Sequence, residues 1–215
     1  MGEPASVVVL GTATEVGKTW VASRMVTGFR RMGLEVAVRK PVQSYDPDSD
    51  EPTDSAVLAA ASGEPESDVC AEQMRFEVPM APPMAAEALG RRAPSLEELT
   101  ATMTSRRCDL TLVETVGGVL SPIAADAHSA AFANSLQPTV AVLVADAGLG
   151  VIDSVRKSML ALSPLSPLVY LNRFDPNDEL HRLNRRWLSE RDRIETWVDM
   201  DEFVDAVLVA SRGEP

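Results

Sequence analysis

A chain of 215 residues with 45% hydrophobic content suits one globular domain with a sizeable core. Its 20 Lys and Arg stand against 32 Asp and Glu, a formal net charge of −12. That balance argues against a general nucleic-acid binder, which needs clustered cations to replace condensed counterions, yet a few lysines and backbone amides could still hold an anion locally. Two cysteines, Cys70 and Cys108, form neither a metal spacing nor a disulfide framework, so reduced thiols are expected. No apolar stretch approaches bilayer length, and MGEPAS at the start shows no basic segment followed by an apolar core. A cytoplasmic protein that meets neither membrane nor nucleic acid is the expectation.

In chain order, SVVVLG at 6–11 reads as a buried strand and TWVASRMVTGFRRMG at 19–33 as a helix ending at Gly33. EVAVRKP at 35–41 is a second strand, stopped by Pro41. The acidic DPDSDEPTD at 46–54 reads as an exposed loop. Its alternating aspartates imitate a calcium loop, but Glu51 and Val57 occupy the positions that need glycine and a bidentate glutamate. Asp54 opens the helical pattern DSAVLAAA, where its own chemistry favours an N-cap. Ser95 and Glu98 have capping-box spacing and predict a helix to about Arg107. DLTLVE at 109–114, TVAVLVA at 139–145 and LSPLVYLN at 165–172 are further strands, with helical patterns at about 178–190 and 200–211. Buried β-rich runs alternating with helices predict a single α/β domain over 1–215, a mostly parallel sheet with helices on both faces.

Ligands collect beyond the carboxyl ends of parallel strands. Gly11–Thr19, Lys40–Ser44, Glu114–Gly118 and Asn172 all fall on that edge. GTATEVGKTW, between a strand and a helix, has the character of a phosphate loop. Lys18 would extend over the β- and γ-phosphates and Thr19 would reach Mg²⁺, although Gly11 precedes the usual first-glycine position by one residue. Glu114 at a strand end is placed to support the magnesium ion. Lys40 projects toward the same edge as Lys18, and two converging cations suit phosphoryl transfer or a carboxylated intermediate. His128 and His181 have no partner at ligand or triad spacing and read as surface or capping residues. Trp20, Trp187 and Trp197 read as packing residues on residue type alone.

GTATEVGKT, KPVQS, TDSAVLA, PMAPPMAAE, LVETVGG and ADAGLG occur in that order, and with them the chain resembles dethiobiotin synthetase, a family of the P-loop NTPase superfamily. The likeness extends over about residues 6–172 and is weaker in HRLNRRWLSERD. That family uses a G-T-x-T-x-x-G-K-T loop, which accounts for the extended spacing. The resemblance implies an ATP-dependent cyclo-ligase of biotin biosynthesis: 7,8-diaminononanoate (7,8-diaminopelargonate) and CO₂ give dethiobiotin through a phosphorylated carbamate. It implies that Lys18, Lys40 and Thr14 act on the carbamate and the transferring phosphoryl group. Around the nucleotide it places Glu15, Val16, Gly17, Lys18, Thr19, Trp20, Asp54, Glu114, Thr115, Val116, Gly117, Asn172 and Arg173, with Asn172 at the adenine edge. Thr19, Asp54 and Glu114 would surround Mg²⁺, which replaces the capping role for Asp54. Ser44 and Asp153 would meet substrate, and a homodimer would carry substrate across its interface.

Two segments depart from the family pattern. Thr115 stands where a glycine is usual, and a β-branched residue at positive φ would be strained. In GLGVIDSV at 148–155, Asp153 and Ser154 replace an asparagine and a histidine, and an aspartate would repel an anionic substrate tail. This motivates an alternative, a related ATP-dependent ligase or cyclase for another amine. A P-loop switch ATPase acting through protein partners is a third reading, against which Ala13 counts because those relatives carry a signature lysine there.

Overall fold

The computed structural model describes residues 4–103 and 108–213. β1 (Ala5–Gly11) runs into α1 (Lys18–Arg31), followed by β2 (Val36–Arg39), the short β3 (Gln43–Ser44) and α2 (Asp54–Ser62). Then come α3 (Glu66–Val69), β4 (Arg75–Phe76), α4 (Pro82–Ala88), α5 (Leu96–Ala101) and β5 (Leu110–Glu114). A small antiparallel pair, β6 (Pro122–Ala124) and β7 (Ala127–His128), precedes α6 (Ser129–Leu136). The chain continues through β8 (Val140–Asp146), α7 (Val151–Leu162), β9 (Leu168–Asn172), α8 (Glu179–Glu190), β10 (Thr196–Trp197) and α9 (Met200–Ser211).

Six strands form a parallel sheet in the order β10-β9-β8-β1-β5-β2. β1 is central, and the chain winds away from it in both directions, so a crevice opens beyond its carboxyl end. Strand side chains alternate between faces, and both faces are covered. Val7 and Val9 join a core with Met25 and Phe29 of α1, Leu58 of α2 and Phe203 of α9. Val8 and Leu10 join the opposite core with Phe132 of α6, Val155 of α7 and Leu188 of α8. This double burial is why the strands read as continuous apolar runs instead of alternating ones.

Helix ends follow local chemistry. Ser95 Oγ accepts from Glu98 N at 3.2 Å while Ser95 N donates to the Glu98 carboxylate at 2.8 Å, the expected capping box. The helix it opens ends at Ala101, and residues 104–107 of the expected continuation lie outside the described residues. The N-cap of α2 is Thr53, whose side chain accepts from Ala56 N at 3.3 Å, so the capping role that residue type favours for Asp54 falls one position earlier. His128 caps α6, its Nδ1 accepting from Ala131 N at 3.1 Å. Among the tryptophans only Trp197 packs inward as expected, 5.7 Å ring to ring from Phe203, whereas Trp20 and Trp187 remain 49% and 47% exposed. No helix among the described residues is long and apolar enough to cross a membrane.

Phe203 is fully buried, and its ring also lies 5.0 Å from Tyr170 beneath α9. Phe203→Ala is expected to lower stability by about 3–5 kcal/mol, the sum of lost transfer energy and the cavity left behind; the urea midpoint followed by circular dichroism measures it.

Candidate active site

The turn between β1 and α1 is held in a conformation that few sequences tolerate. Gly11 has no room for a Cβ, which would sit 2.9 Å from Ala13 O, Val16 Cγ2 and Lys18 Cδ. Glu15 and Gly17 both have positive φ, 62° and 89°. The first amides of α1 have no helical acceptor, and with the helix dipole they favour an anion at this end. Lys18 curls back so that its Nζ donates to Ala13 O at 3.2 Å. Burial, and then the Lys40 ammonium, bring Lys18 down to about 8, a cation whose charged form an incoming phosphate would stabilise.

Sheet register supplies the second half of the site. β2 and β5 pair Arg39 with Val113, so the next residues, Lys40 and Glu114, leave the sheet side by side. Lys40 Nζ donates to Glu114 Oε1 at 2.6 Å, to Thr115 O at 3.2 Å and to Asp54 Oδ2 at 2.7 Å. Burial alone would lower Lys40, but Asp54 and Glu114 outweigh it and hold the ammonium above its ordinary range. Asp54 is held down at about 2, chiefly by the Lys40 charge. Glu114 is pushed upward by complete burial, with Lys40 opposing, and its Oε2 has no hydrogen-bond partner. The Thr19 hydroxyl lies 2.7 Å from Asp54 Oδ1 and 2.9 Å from Glu114 Oε1.

Lys18, Thr19, Lys40 and Asp54 border one cleft of about 860 Å³, with Glu114 buried behind Lys40. Thr14, Glu15, Gly17, Lys18 and Thr19 line it from the loop, Lys40, Ser44 and Asp54 from the opposite wall, and Val116, Gly117 and Arg173 from the rim. Ser44 Oγ donates to Met80 O, tying β3 to the loop before α4. Gln43, which the sequence analysis did not single out although it lies in KPVQS, donates from Nε2 to Ser55 Oγ at 2.7 Å and accepts from Ser55 N at 3.0 Å. It thereby fixes the start of α2 and with it Asp54.

Several expected residues take other positions. Asn172 is buried behind the loop, its Nδ2 donating to Val16 O at 2.9 Å, and it does not line the cleft. Arg173 is the group that reaches the rim. Its guanidinium donates to Asp146 Oδ2 at 2.7 Å and to Glu15 O at 2.9 Å. Asp146 was missed because the strand TVAVLVA was ended one residue early; it belongs to the same carboxyl edge and pairs in register with Asn172. Val16 packs in the core and Trp20 points outward from α1, so neither side chain faces the cleft. Thr115 is absent from the positive-φ residues. The strain expected there does not arise, and its buried hydroxyl donates to Val9 O at 3.1 Å. Asp153 lies on the solvent face of α7, paired with Lys157 one turn later at 2.7 Å, and does not line this chain's cleft.

A parallel sheet with a glycine-lysine-threonine turn at its topological switch, a strand-end carboxylate beside the threonine and two lysines converging on the cleft defines a P-loop nucleotide-binding protein. Solved structures agree at the level of fold. The signal recognition particle receptor FtsY from Elizabethkingia anophelis in complex with GDP superposes with a TM-score of 0.59 at 15% identity, covering 96% of this chain and 64% of that one. Chloroplast FtsY from Physcomitrella patens gives 0.55 at 15% identity, with 96% and 66% covered. A family model described as AAA domain matches residues 5–163.

Closer relatives carry one name, ATP-dependent dethiobiotin synthetase BioD. That of Anaeromyxobacter dehalogenans is 37% identical over 178 residues, 80% of this chain and 78% of its own. That of Phenylobacterium zucineum is 37% identical over 152 residues, 67% of this chain and 64% of its own. That of Caulobacter vibrioides strain NA1000 is 37% identical over 57% of this chain and 58% of its own. The chain belongs to the dethiobiotin synthetase family, although it spans less than two thirds of the length of these last two relatives.

A Cβ on Gly17 would fall 2.1 Å from Asn172 Nδ2, and φ is +89°. Gly17→Ala is expected to break the Asn172–Val16 clamp, cost about 1–3 kcal/mol in stability and abolish nucleotide binding, as read by thermal melts with and without ATP.

Proposed function

We propose that the protein is an ATP-dependent cyclo-ligase that joins CO₂ to 7,8-diaminononanoate and closes the ring to dethiobiotin, and that it works in the cytoplasm. The observation that carries the reading is the Lys18–Lys40 pair, set against Asp54 and Glu114 where a triphosphate on the loop would end. The names of its relatives support the same chemistry, as does the ordered set of motifs from GTATEVGKT to ADAGLG. Two free cysteines, Cys70 and Cys108, are in keeping with a reducing compartment.

Ring closure needs activation because a carbamate is a poor electrophile. One amine adds to CO₂ and loses a proton. The carbamate oxygen then takes the γ-phosphoryl group of ATP and releases ADP. Finally the second amine attacks the carbamate carbon, expelling phosphate and losing its own proton. Holding that amine beside the carbonyl makes the last step intramolecular. Lys18 and Lys40 would stabilise charge on the transferring group and the carbamate, with Thr14 at the carbamate. Ser44 would position the substrate, and Arg173 would border the nucleotide.

Magnesium fits this donor set. The Thr19 hydroxyl and the Asp54 and Glu114 carboxylates are hard oxygen donors, with the hydroxyl within hydrogen-bond distance of both carboxylates, and Glu114 Oε2 is buried without a partner. No group of three or more His, Cys, Asp or Glu side chains able to hold a metal occurs among the described residues. That accords with an ion bound through one or two carboxylates and completed by phosphate oxygens and water. When bound, it would neutralise charge on the β- and γ-phosphates.

A homodimer with the active site at its interface is part of the proposal. Leu149, in the turn before α7, and Leu160, in its last turn, are 91% and 80% exposed, as an unpaired association face would be. Asp153 lies on that helix. Its pairing with Lys157 is exposed to solvent and weak, and it is the relatives' shared name that disfavours a different amine as substrate.

Phosphate release with ATP, bicarbonate and diaminononanoate tests the assignment; no release above the rate without the diamine refutes it. Lys40→Ala is expected to lower turnover by about 10²-fold or more while ATP still binds. Because the change strands a buried carboxylate, Lys40→Ala with Glu114→Gln serves as the folded control, and unchanged turnover refutes the role. Asp153→Asn is expected to tighten diaminononanoate binding about twofold to fivefold, the range of an exposed charge interaction; an unchanged KM would separate Asp153 from the substrate tail.

A further inference from the structure

On the side of the sheet remote from α1, the loop after β9 and the helix α8 border a shallow, open hollow of about 440 Å³, lined by Phe174, Pro176, Arg182, Arg185, Arg186 and Ser189. Positions 182, 185 and 186 are spaced i, i+3 and i+4, so their side chains emerge on neighbouring turns of one helix face. Arg39, Arg75, Arg92, Arg156 and Arg173 each meet a carboxylate, whereas other described arginines such as Arg24, Arg31 and Arg191 do not. Arg182, Arg185 and Arg186 likewise meet no carboxylate among the described residues. Arg182 donates one N–H to Pro176 O at 2.8 Å. Arg185 donates to Thr196 O at 3.4 Å and lies 5.7 Å from the centre of the Phe174 ring. Both forks are thus anchored by one edge with further N–H groups left over, and Arg186 has no side-chain partner among the described residues. Glu179 borders an adjoining hollow with Arg182 and Arg186 but pairs with neither.

Three like charges on one helix face repel one another, and this chain has 32 carboxylate residues from which to draw a partner. We propose that the hollow is a second ligand site, separate from the nucleotide cleft, for a small oxyanion carrying two or more negative charges. A guanidinium presents a planar fork that fits carboxylate and phosphate alike, so the shared chemistry is a polyphosphate or a polycarboxylate. Phe174 directly follows Arg173, which borders the main cleft, and Pro176 lies two residues further on, so an anion here would also steady the loop that reaches the nucleotide.

The test uses the full chain carrying Lys18→Ala, which weakens the competing phosphate loop. Isothermal titration at low salt without divalent metal measures sodium tripolyphosphate in one arm and citrate in the other. One ion bound per chain in either arm is expected, and the arm that binds names the source. Adding Arg182→Ala and Arg186→Ala is expected to weaken that binding about tenfold or more, as two charge-assisted contacts are lost. Alanine at exposed helix positions favours the helix, and thermal melts confirm that the variants are folded. Failure of both anions to bind, or binding indifferent to the arginine changes, overturns the proposal. Undiminished binding at a second site after Lys18→Ala would count against the phosphate-loop reading alone, leaving this one standing.

Discussion

The site depends on a single buried cation. Lys40 is almost without solvent exposure, and its ammonium is held by carboxylates from two directions, Asp54 from the start of α2 and Glu114 from the end of β5. A buried charge is tolerable only when paired and hydrogen-bonded. The pairing therefore does two things at once. It keeps both carboxylates in place beside Thr19, and it fixes the distance between a sheet edge and a helix that share no strand pairing. Gln43 reinforces the same junction by gripping Ser55 through both ends of its amide.

A second constraint works from the far side of the phosphate loop. Asn172 and Arg173 hold the carbonyls of Val16 and Glu15, and Arg173 is itself braced by Asp146. The loop is thus clamped by residues at the ends of β8 and β9, while β1 supplies its root. Pre-organisation of this kind matters because the amides must already point at the phosphate for the charge to be stabilised without further rearrangement. The positive φ of Glu15, Gly17 and Arg173 is the conformational cost of that arrangement, and the clamp hydrogen bonds offset it.

The fold was largely legible. Apolar runs at β1, β5 and β8 and the amphipathic patterns of α1, α8 and α9 stand close to where their sequence places them, because a strand buried on both faces and a helix buried on one leave strong signals. β10 was not legible: Thr196–Trp197 is two residues long and becomes a strand only because β9 offers it an edge. β3 and β4 pair for the same non-local reason. In the site, Lys18, Thr19, Lys40, Asp54 and Glu114 do converge. Asn172, Val16, Trp20 and Thr115 are placed around the nucleotide by the family resemblance, and a motif does not say which way each side chain turns. Asp146 and Gln43 were overlooked because each acts through another residue.

By itself the sequence determined the class of the molecule: an α/β sheet with a phosphate loop after its first strand and polar groups gathered at one edge. Those properties follow from local spacing, burial pattern and the demands of glycine, which any short window of chain carries. Tertiary structure alone decided the rest. The register of β2 against β5 sets Lys40 level with Glu114, the packing of α2 brings Asp54 to the same ammonium, and α8 leaves three guanidiniums around a hollow without a carboxylate. Such outcomes depend on distances between residues far apart in the chain, and no local pattern encodes them.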